Sequence, residues 1–202
     1  MVEEHGRSGR PRSERARTAV LNAVDDLLVE VGYAALTMKG IAERAGVGRQ
    51  TVYRWWSNKA EVLYEASAID ARKELSVPLS GDPARDFTAY LDALVKFLAH
   101  SDAGAAYRAL IGEAQHDTAV AALLSSGDIL GESAARVVTP ALDASGSDLS
   151  VEQATALLVG PPFFHILSGR GVESIDTRRL AEEFTRVLAA RRDQDRGVTA
   201  DS

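Results

Sequence analysis

The chain has 202 residues, of which 46% are hydrophobic and 26% charged, with a net charge of −6 and no cysteine. The length suits one medium domain or a small domain joined to a larger one, and the missing cysteine excludes disulfides, thiolate catalysis and cysteine-bound zinc. No apolar run reaches the roughly 20 residues of a membrane span, and no apolar signal segment follows the basic N-terminus, so we expect a cytoplasmic protein without a membrane partner.

The charge is unevenly distributed along the chain. Residues 1–60 hold ten Lys and Arg against seven Asp and Glu, a balance of +3, and the remaining residues hold 13 against 22, a balance of −9. A basic end on an acidic body indicates a surface that faces a polyanion. A solvated charged face would explain the arginines alone, but the order of residues around Gly46 favours the polyanion.

The N-terminal third reads as four helices. Apolar residues at helical spacing predict a first helix that Ser13 caps and Gly32 ends. Thr37 caps a short second helix that ends at Ala45. The sequence then predicts a turn over 46–48, a third helix to about residue 56, and a fourth from 57 or 58 towards 75.

The rest of the chain is also helical in pattern. Residues 77–83 are rich in proline and glycine and predict a hinge or short linker. Beyond them the expected helices cover about 87–98, 107–114, 117–138 (loosened near 125–127), 150–169 and 175–192, with a polar loop at 144–148. No strand pattern and no internal repeat is present in the sequence. We therefore predict an all-α protein with about nine helices.

The segment around Gly46 has the spacing of a helix-turn-helix, over about residues 37–56. Two short helices joined by so few residues cross steeply, so a small residue is needed where they approach, and Ala42 is there. Gly46 can take the positive φ that ends the first of them. The shared apolar side is expected to hold Ile41, Ala45, Val47, Val52 and at least one of Trp55 and Trp56.

The residues left outside have DNA-binding chemistry. Arg49 and Tyr53 are four apart, as are Gln50 and Arg54, so one surface of the third helix carries hydrogen-bond donors. Arg can bond a guanine edge with two hydrogen bonds, and Gln can bond an adenine edge. Hydroxyls and an ammonium at helix starts and edges suit phosphate oxygens, and these are Thr37, Tyr53 and Lys59.

The run TMKGIAERAGVGRQTVYRWWSNKAEVL, residues 37–63, resembles the DNA-binding domain of the TetR/AcrR repressors. Members of that family share the pattern TxxxIAxxAGVSxxT[LV]Yx[YH]FxxKxxL, which follows a first helix like residues 14–31. Two departures stand out: Gly48 stands where Ser is usual, and Trp56 where Phe is usual. The resemblance implies a three-helix helix-turn-helix DNA-binding domain over 14–74.

The resemblance also implies roles for individual residues. The DNA backbone would be held by Thr37, Tyr53 and Lys59, and base edges or adjacent phosphates would be met by Lys39, Gly48, Arg49, Gln50, Thr51, Arg54 and Trp55. An N-terminal arm, Arg7 to Arg17, would follow phosphates or enter a minor groove, or else be only a solubilising tail. For both tryptophans the alternative is core packing, more strongly so for Trp56.

The C-terminal part, 83–192, resembles TetR-like ligand-binding and dimerisation domains through residues 107–117 and 157–170. Gly160 permits close helix approach, and Pro161 and Pro162 would kink their helix. The predicted homodimer interface contains Gly160, Phe163, Phe164, Phe184 and Leu188. The alternative for these residues is an ordinary core within one chain.

A ligand pocket is expected because several C-terminal helices carry more apolar surface than a single stripe needs. Its predicted residues are Phe87, Tyr90, Leu94, Phe97, Tyr107, Ile111, His116 and His165. The resemblance implies a small-molecule inducer of unknown identity, and the few polar groups among apolar residues predict that it is a mainly apolar or cationic organic molecule. A filled core without a physiological ligand is the alternative.

Catalytic, metal and cofactor sites are not predicted. Residues 131–135 (GESAA) lack the final glycine of a nucleophile elbow, and the four histidines are not at metal-ligand spacing. The predicted function is a ligand-responsive regulator, most simply a repressor, that binds an inverted repeat in double-stranded operator DNA as a homodimer. An activator is a variant of this function. A small helical enzyme or interaction module without specific DNA binding is the alternative.

Overall fold

A computed structural model describes the backbone of residues 9–198 and the side chains of residues 13–190. These residues form ten α-helices, one short 3-10 helix and no strand, so the all-α prediction is confirmed. The helices are α1 (Gly9–Ala35), α2 (Met38–Arg44), α3 (Arg49–Tyr53), α4 (Lys59–Glu74), α5 (Pro83–His100), α6 (Asp102–Ala114), α7 (Thr118–Ser126), α8 (Ile129–Ser145), α9 (Val151–Leu167) and α10 (Thr177–Val198), with the 3-10 turn at Val172–Ser174. Arg7 and the side chains of Arg10 and Arg12, part of the predicted basic arm, lie outside the described residues.

The segment predicted as one helix over about 117–138 is two helices, α7 and α8. The break falls at Gly127 and Asp128, and the Asp128 carboxylate caps α8 by accepting the Gly131 N–H at 2.9 Å. An aspartate at this position satisfies a backbone donor that the helix itself cannot pair. Gly146 ends α8 with φ of 66°, inside the loop predicted at 144–148. This break accounts for ten α-helices in the described chain rather than about nine.

The described residues divide into two compact units. The N-terminal unit is the described part of Met1–Asp70 together with Ala105–Ser126, and the C-terminal unit is Ala71–Gly104 together with the described part of Gly127–Ser202. Domains drawn continuously along the sequence, such as 14–74 and 83–192, therefore differ from the units in two respects. Residues 71–74 belong to the C-terminal unit. Residues 105–126 pack with the N-terminal helices.

The core of the N-terminal unit is built from α1 to α4 and from parts of α6 and α7. Ala106, Leu110 and Val120 of the later segment are buried in the same cluster as the N-terminal side chains. The N-terminal members are Val20, Leu21, Val24, Leu28, Leu36, Ile41, Ala42, Val52, Trp56, Ala60, Val62, Leu63 and Ala66. The helix-turn-helix is thus supported from residues far away in sequence.

The C-terminal unit is a bundle of α5, α8, α9 and α10, which contact one another. Phe87 of α5 and Phe184 of α10 meet edge to face, with ring centroids 4.8 Å apart, a favoured aromatic geometry. α9 continues through Pro161 and Pro162 without a residue of non-helical backbone.

The linker before α5 is tied to that helix by one buried carboxylate. Asp86 accepts the Ser80 hydroxyl at 2.6 Å, the Ser80 N–H at 2.8 Å and the Gly81 N–H at 3.3 Å. Burial alone would raise the pKa of Asp86, but these hydrogen bonds outweigh it and hold the pKa below its usual value. The segment predicted as a hinge or linker is therefore fixed at its end.

Gly104, in the first turn of α6, lies against the last turn of α5, and this gives a stability prediction. A Cβ added at Gly104 would lie 1.8 Å from the backbone oxygen of Phe97, so Gly104→Ala forces the backbone at this corner to shift. We expect a loss of about 2–3 kcal/mol in the free energy of unfolding, measured by chemical denaturation.

Gly112→Ala, in the same helix, is the matched control. Its added Cβ would meet nothing within 4 Å, and alanine is the better helix former by about 1 kcal/mol, so stability should be unchanged or higher. Equal denaturation midpoints for the two variants would contradict the close approach.

Candidate nucleic-acid interface

The turn between α2 and α3 is closed by a hydrogen-bonded glycine cap. Gly46 has φ of 66°, its N–H donates to the Glu43 oxygen at 3.2 Å, and the Val47 N–H donates to the Ala42 oxygen at 3.0 Å. This pair of bonds with a left-handed glycine is the Schellman motif. Ala42 is buried at the approach of the two helices, as its size predicts. The turn fixes the direction in which α3 leaves.

The third helix has a buried side and an exposed side. Val52 and Trp56, four residues apart, are buried against the core. Tyr53 is 55% exposed, and Arg49, Gln50 and Arg54 are exposed beside it. Within the described part of the chain, the side chains of Arg49, Gln50 and Tyr53 have no hydrogen-bond or ion-pair partner. The structure brings together, on one surface, the row of donors that the sequence predicts.

The two helix starts differ in their capping. Thr37 caps α2, because its hydroxyl oxygen accepts the Gly40 N–H at 3.0 Å, which leaves the hydroxyl proton free to be donated outward. Gly48 occupies the cap position of α3 and makes no side-chain bond. The backbone at Gly48 is therefore open to close approach.

Lys39, Thr51 and Trp55 flank the same surface. The Lys39 ammonium is exposed and lies 3.7 Å from the Glu43 carboxylate, while Thr51 and Trp55 are half-buried. The Arg54 guanidinium stacks over the Trp55 ring, 4.7 Å from its centroid, a cation–π arrangement. Trp55 in turn meets Trp56 edge-on at 5.4 Å.

Lys59, the first residue of α4, points back to the end of α1. Its ammonium donates to the Tyr33 backbone oxygen at 2.8 Å and lies 4.3 Å from the centroid of the Tyr33 ring. Tyr33 was missed by sequence reasoning, because it is 26 residues from Lys59 and no local pattern links the two.

Two further basic residues near the interface are held within the unit. Arg44 of α2 binds the Glu30 carboxylate of α1 with two nitrogens, one of them at 2.8 Å. The hydrogen bonds from Arg44 lower the pKa of Glu30. Arg17, in the predicted arm, pairs with Glu65 of α4 at 2.7 Å. These arginines position helices rather than project outward.

The eight predicted pocket residues do not lie in one unit. Tyr107, Ile111 and His116 belong to the N-terminal unit and the other five to the C-terminal unit. The side chains of Phe87, Tyr90, Leu94 and Phe97 are completely buried. The Tyr90 hydroxyl is satisfied by Ser133 at 2.9 Å, and burial raises the pKa of Tyr90 well above its usual value.

His165 lies in a surface cleft of about 340 Å³ formed by α9, the 3-10 turn and α10. Its Nε2 is 2.9 Å from the Gly171 oxygen and 3.0 Å from the Ser174 hydroxyl. The cleft is lined by Pro161, Pro162, His165, Ser174, Ile175, Asp176, Arg179, Leu180 and Glu183.

The predicted interface residues separate into buried and exposed sets. Phe184 and Leu188 are only 5% and 2% exposed, so they belong to the core of the C-terminal unit and offer little surface to a partner. Within one chain the apolar stripe of α10 is used in this core, and the assignment of Phe184 and Leu188 to a dimer interface stays a prediction. Phe164 is 64% exposed, and Gly160 and Phe163 are half-buried.

Two kinds of feature are absent from the described part of the chain. No helix there is long and apolar enough to cross a membrane. No group of three or more metal-binding side chains is assembled among the same residues.

Comparison with known proteins places this geometry in a family. Residues 20–66 match the model described as bacterial regulatory proteins, tetR family, and residues 77–184 match the model described as tetracyclin repressor-like, C-terminal domain. The second match alone covers more than half of the chain. The chain belongs to the TetR family. Because the matches are to regulators, the prediction of a regulator rather than an enzyme is confirmed.

Individual relatives are similar over different shares of their length. YdeS of Bacillus subtilis (strain 168), an uncharacterised HTH-type transcriptional regulator, is 41% identical over 113 residues, which are 56% of this chain and 57% of YdeS. The chain spans about half the length of the curated relatives it matches, or less. The TetR family regulator SCO0332 superposes with a TM-score of 0.70 at 26% identity, covering 86% of this chain and 97% of that one. RolR in complex with resorcinol shares the fold, with a TM-score of 0.62 at 18% identity, covering 96% and 97%.

One departure from the TetR-family pattern has a partner in the structure. Trp56, where Phe is usual, is 3% exposed, and its indole N–H donates to the Glu65 carboxylate at 2.9 Å. The other oxygen of that carboxylate binds Arg17, and this hydrogen bond raises the pKa of Arg17. The larger side chain is thus accommodated with its polar atom satisfied, and α1 and α4 are joined to the end of α3.

Proposed function

We propose that the chain regulates transcription by binding operator DNA as a homodimer, most simply as a repressor that a small molecule releases. The observation that carries DNA binding is the outer side of α3. Arg49, Gln50 and Tyr53 are exposed there without internal partners, while Val52 and Trp56 hold the opposite side in the core. A short helix with this content at its start fits the DNA major groove.

The proposed role of each side chain follows from the hydrogen-bonding groups that it can still offer to DNA. Arg49 and Gln50 read base edges. Phosphates are held by the hydroxyls of Thr37 and Tyr53 and by the ammonium of Lys59. Further contacts to bases or adjacent phosphates are assigned to Lys39, Thr51, Arg54 and Trp55, and the uncapped Gly48 lets the backbone come close.

Two substitutions test this docking after bound duplexes are selected from a random DNA pool. Arg49→Ala should relax base preference at one or two positions, at a cost of about 1–3 kcal/mol for each lost bidentate contact. Lys59→Ala should weaken binding to all DNA sequences alike. It should also lower the salt slope, the dependence of log affinity on log salt concentration, by about one unit per contact. If Lys59→Ala changed the selected sequence and Arg49→Ala did not, the docking would be wrong.

Dimerisation is supported by a helix that is apolar on both sides. α9 buries Ala154, Leu158 and Pro162 within its unit and leaves Leu157 and Phe164, away from that buried row, exposed. A helix that is apolar all round is buried in a larger structure. Val187 of α10 is also exposed. A homodimer would let two copies of α3 read an inverted repeat.

Phe164→Asp tests the interface. Because Phe164 is mostly exposed in one chain, the variant should keep its helical circular dichroism but sediment as a monomer, since a dimer would have to desolvate the new carboxylate, even one paired with the neighbouring Arg170. Leu79→Asp is the control, because Leu79 is another exposed apolar residue, in the linker, and its variant should stay dimeric. A Phe164→Asp protein that still sediments as a dimer at micromolar concentration would exclude this face.

Ligand response is assigned to the His165 cleft. Its wall combines proline, isoleucine and leucine side chains with the Asp176 carboxylate and with Glu183, which is paired with Arg179 at 2.9 Å. This lining suits a mainly apolar organic molecule, with Asp176 as the partner for a cationic group. The predicted pocket residues on α5 are completely buried in the core, so they offer no open surface. Such a ligand releases DNA only if it binds the DNA-incompetent arrangement more tightly.

A compound screen tests this assignment. Apolar and cationic compounds that raise the melting temperature should also weaken operator binding, by about 5- to 150-fold for an ordinary coupling. His165→Ala should weaken binding of the compound without weakening binding of DNA. His100→Ala, which changes an exposed histidine of α5, should weaken neither. Tight binders that leave operator affinity unchanged would rule out the linkage.

A further inference from the structure

The Lys59 side chain is held by two different parts of Tyr33. Its ammonium donates one hydrogen bond to the Tyr33 backbone oxygen at 2.8 Å, and the same nitrogen lies 4.3 Å from the centroid of the ring. An ammonium has three donors, so two remain for other acceptors. A lysine stem held in this way has already lost much of its rotamer freedom before it meets a ligand.

The backbone before Tyr33 explains how its oxygen becomes available. Gly32 has φ of 73° and ψ of 167°, which interrupts α1. The Tyr33 oxygen then accepts the Leu36 N–H at 3.2 Å and the Lys59 ammonium as its second partner. A positive φ of this kind favours glycine, so Gly32 is what turns Tyr33 towards α4.

The ring keeps its uncharged form in this setting. Burial first, and then the carboxylates of Glu113 and Asp117, raise the pKa of Tyr33 to about 12. Near neutral pH the phenol is therefore protonated, and the ammonium faces the electron-rich surface of a neutral ring.

We propose that Tyr33 is a positioning residue for DNA binding, which holds the Lys59 ammonium oriented for a phosphate of the duplex. The inference rests on the proposed function, because Lys59 must contact DNA for Tyr33 to act through it. Tyr33 itself touches no DNA in this account. Its ring face and its backbone oxygen affect DNA binding only through Lys59.

The experiment compares two variants of similar size. Tyr33→Phe keeps the ring face and should leave affinity within about twofold, whereas Tyr33→Leu keeps apolar bulk but removes the ring. Loss of a cation–π contact of ordinary strength corresponds to about 2- to 5-fold in affinity per half-site, so about 4- to 25-fold for a dimer. Affinity is measured on a duplex recovered by selection and on a random-sequence duplex, over a range of salt concentrations.

Three readouts separate positioning from a general loss of structure. Tyr33→Leu should weaken both duplexes by the same factor, keep the base preference, and lower the salt slope by up to one unit per subunit. In a Lys59→Ala background it should add less than about twofold, because the residue it positions is gone. Lys96→Ala, an exposed lysine of α5, controls for the loss of one positive charge.

Each failure has its own signature. Full additivity of Tyr33→Leu and Lys59→Ala, or equal affinity for Tyr33→Phe and Tyr33→Leu, would overturn the positioning role. If Lys59→Ala left affinity and salt slope unchanged while wild type bound the selected duplex, Lys59 would not be a phosphate contact and the inference would fall with it. A wild-type protein that selected no duplex would instead overturn the proposed function.

Discussion

The left-handed backbone at Gly46 is the constraint on which the exposed surface of α3 depends. α3 has only five residues, too few for a helix to be stable alone in water, so its orientation must come from what holds its ends. Gly46, at φ of 66°, supplies one end through the Schellman hydrogen bonds, and burial of Val52 and Trp56 supplies the other. A side chain at Gly46 would be strained whatever space surrounds it. The direction of Arg49 and Gln50 follows from this single turn.

Charge alone would have been a poor guide to this surface. The balance of +3 over residues 1–60 counts every basic residue equally. In the structure, however, Arg17 and Arg44 are engaged with Glu65 and Glu30. Arg49, in contrast, is exposed on α3. What distinguishes Arg49 from Arg17 and Arg44 is that it has no carboxylate partner among the described residues, and which arginines are paired depends on the packing of α1 against α2 and α4.

The sequence predicted best those features that depend on residues a few positions apart. The cap at Thr37, the glycine turn and the buried row of α3 each involve residues within a few positions of one another, so local geometry determines them. The sequence could not show which apolar stripe packs where. Phe184 and Leu188 were predicted at a dimer interface, with a core within one chain as the alternative, and in the single chain they are buried. The packing of residues 105–126 with the N-terminal helices is likewise long-range and leaves no mark in the local pattern.

The substitution of Trp for Phe at position 56 shows how such long-range ties make a local departure tolerable. An indole N–H buried without an acceptor costs about 1–3 kcal/mol. Because the Trp56 side chain is only 3% exposed, its N–H cannot hydrogen-bond to solvent instead. Glu65 supplies the acceptor from α4. A half-buried carboxylate in turn needs a charge partner, which Arg17 provides from α1. Trp56, Glu65 and Arg17 therefore depend on one another, and together they fix the far end of α3, as Gly46 fixes the near end.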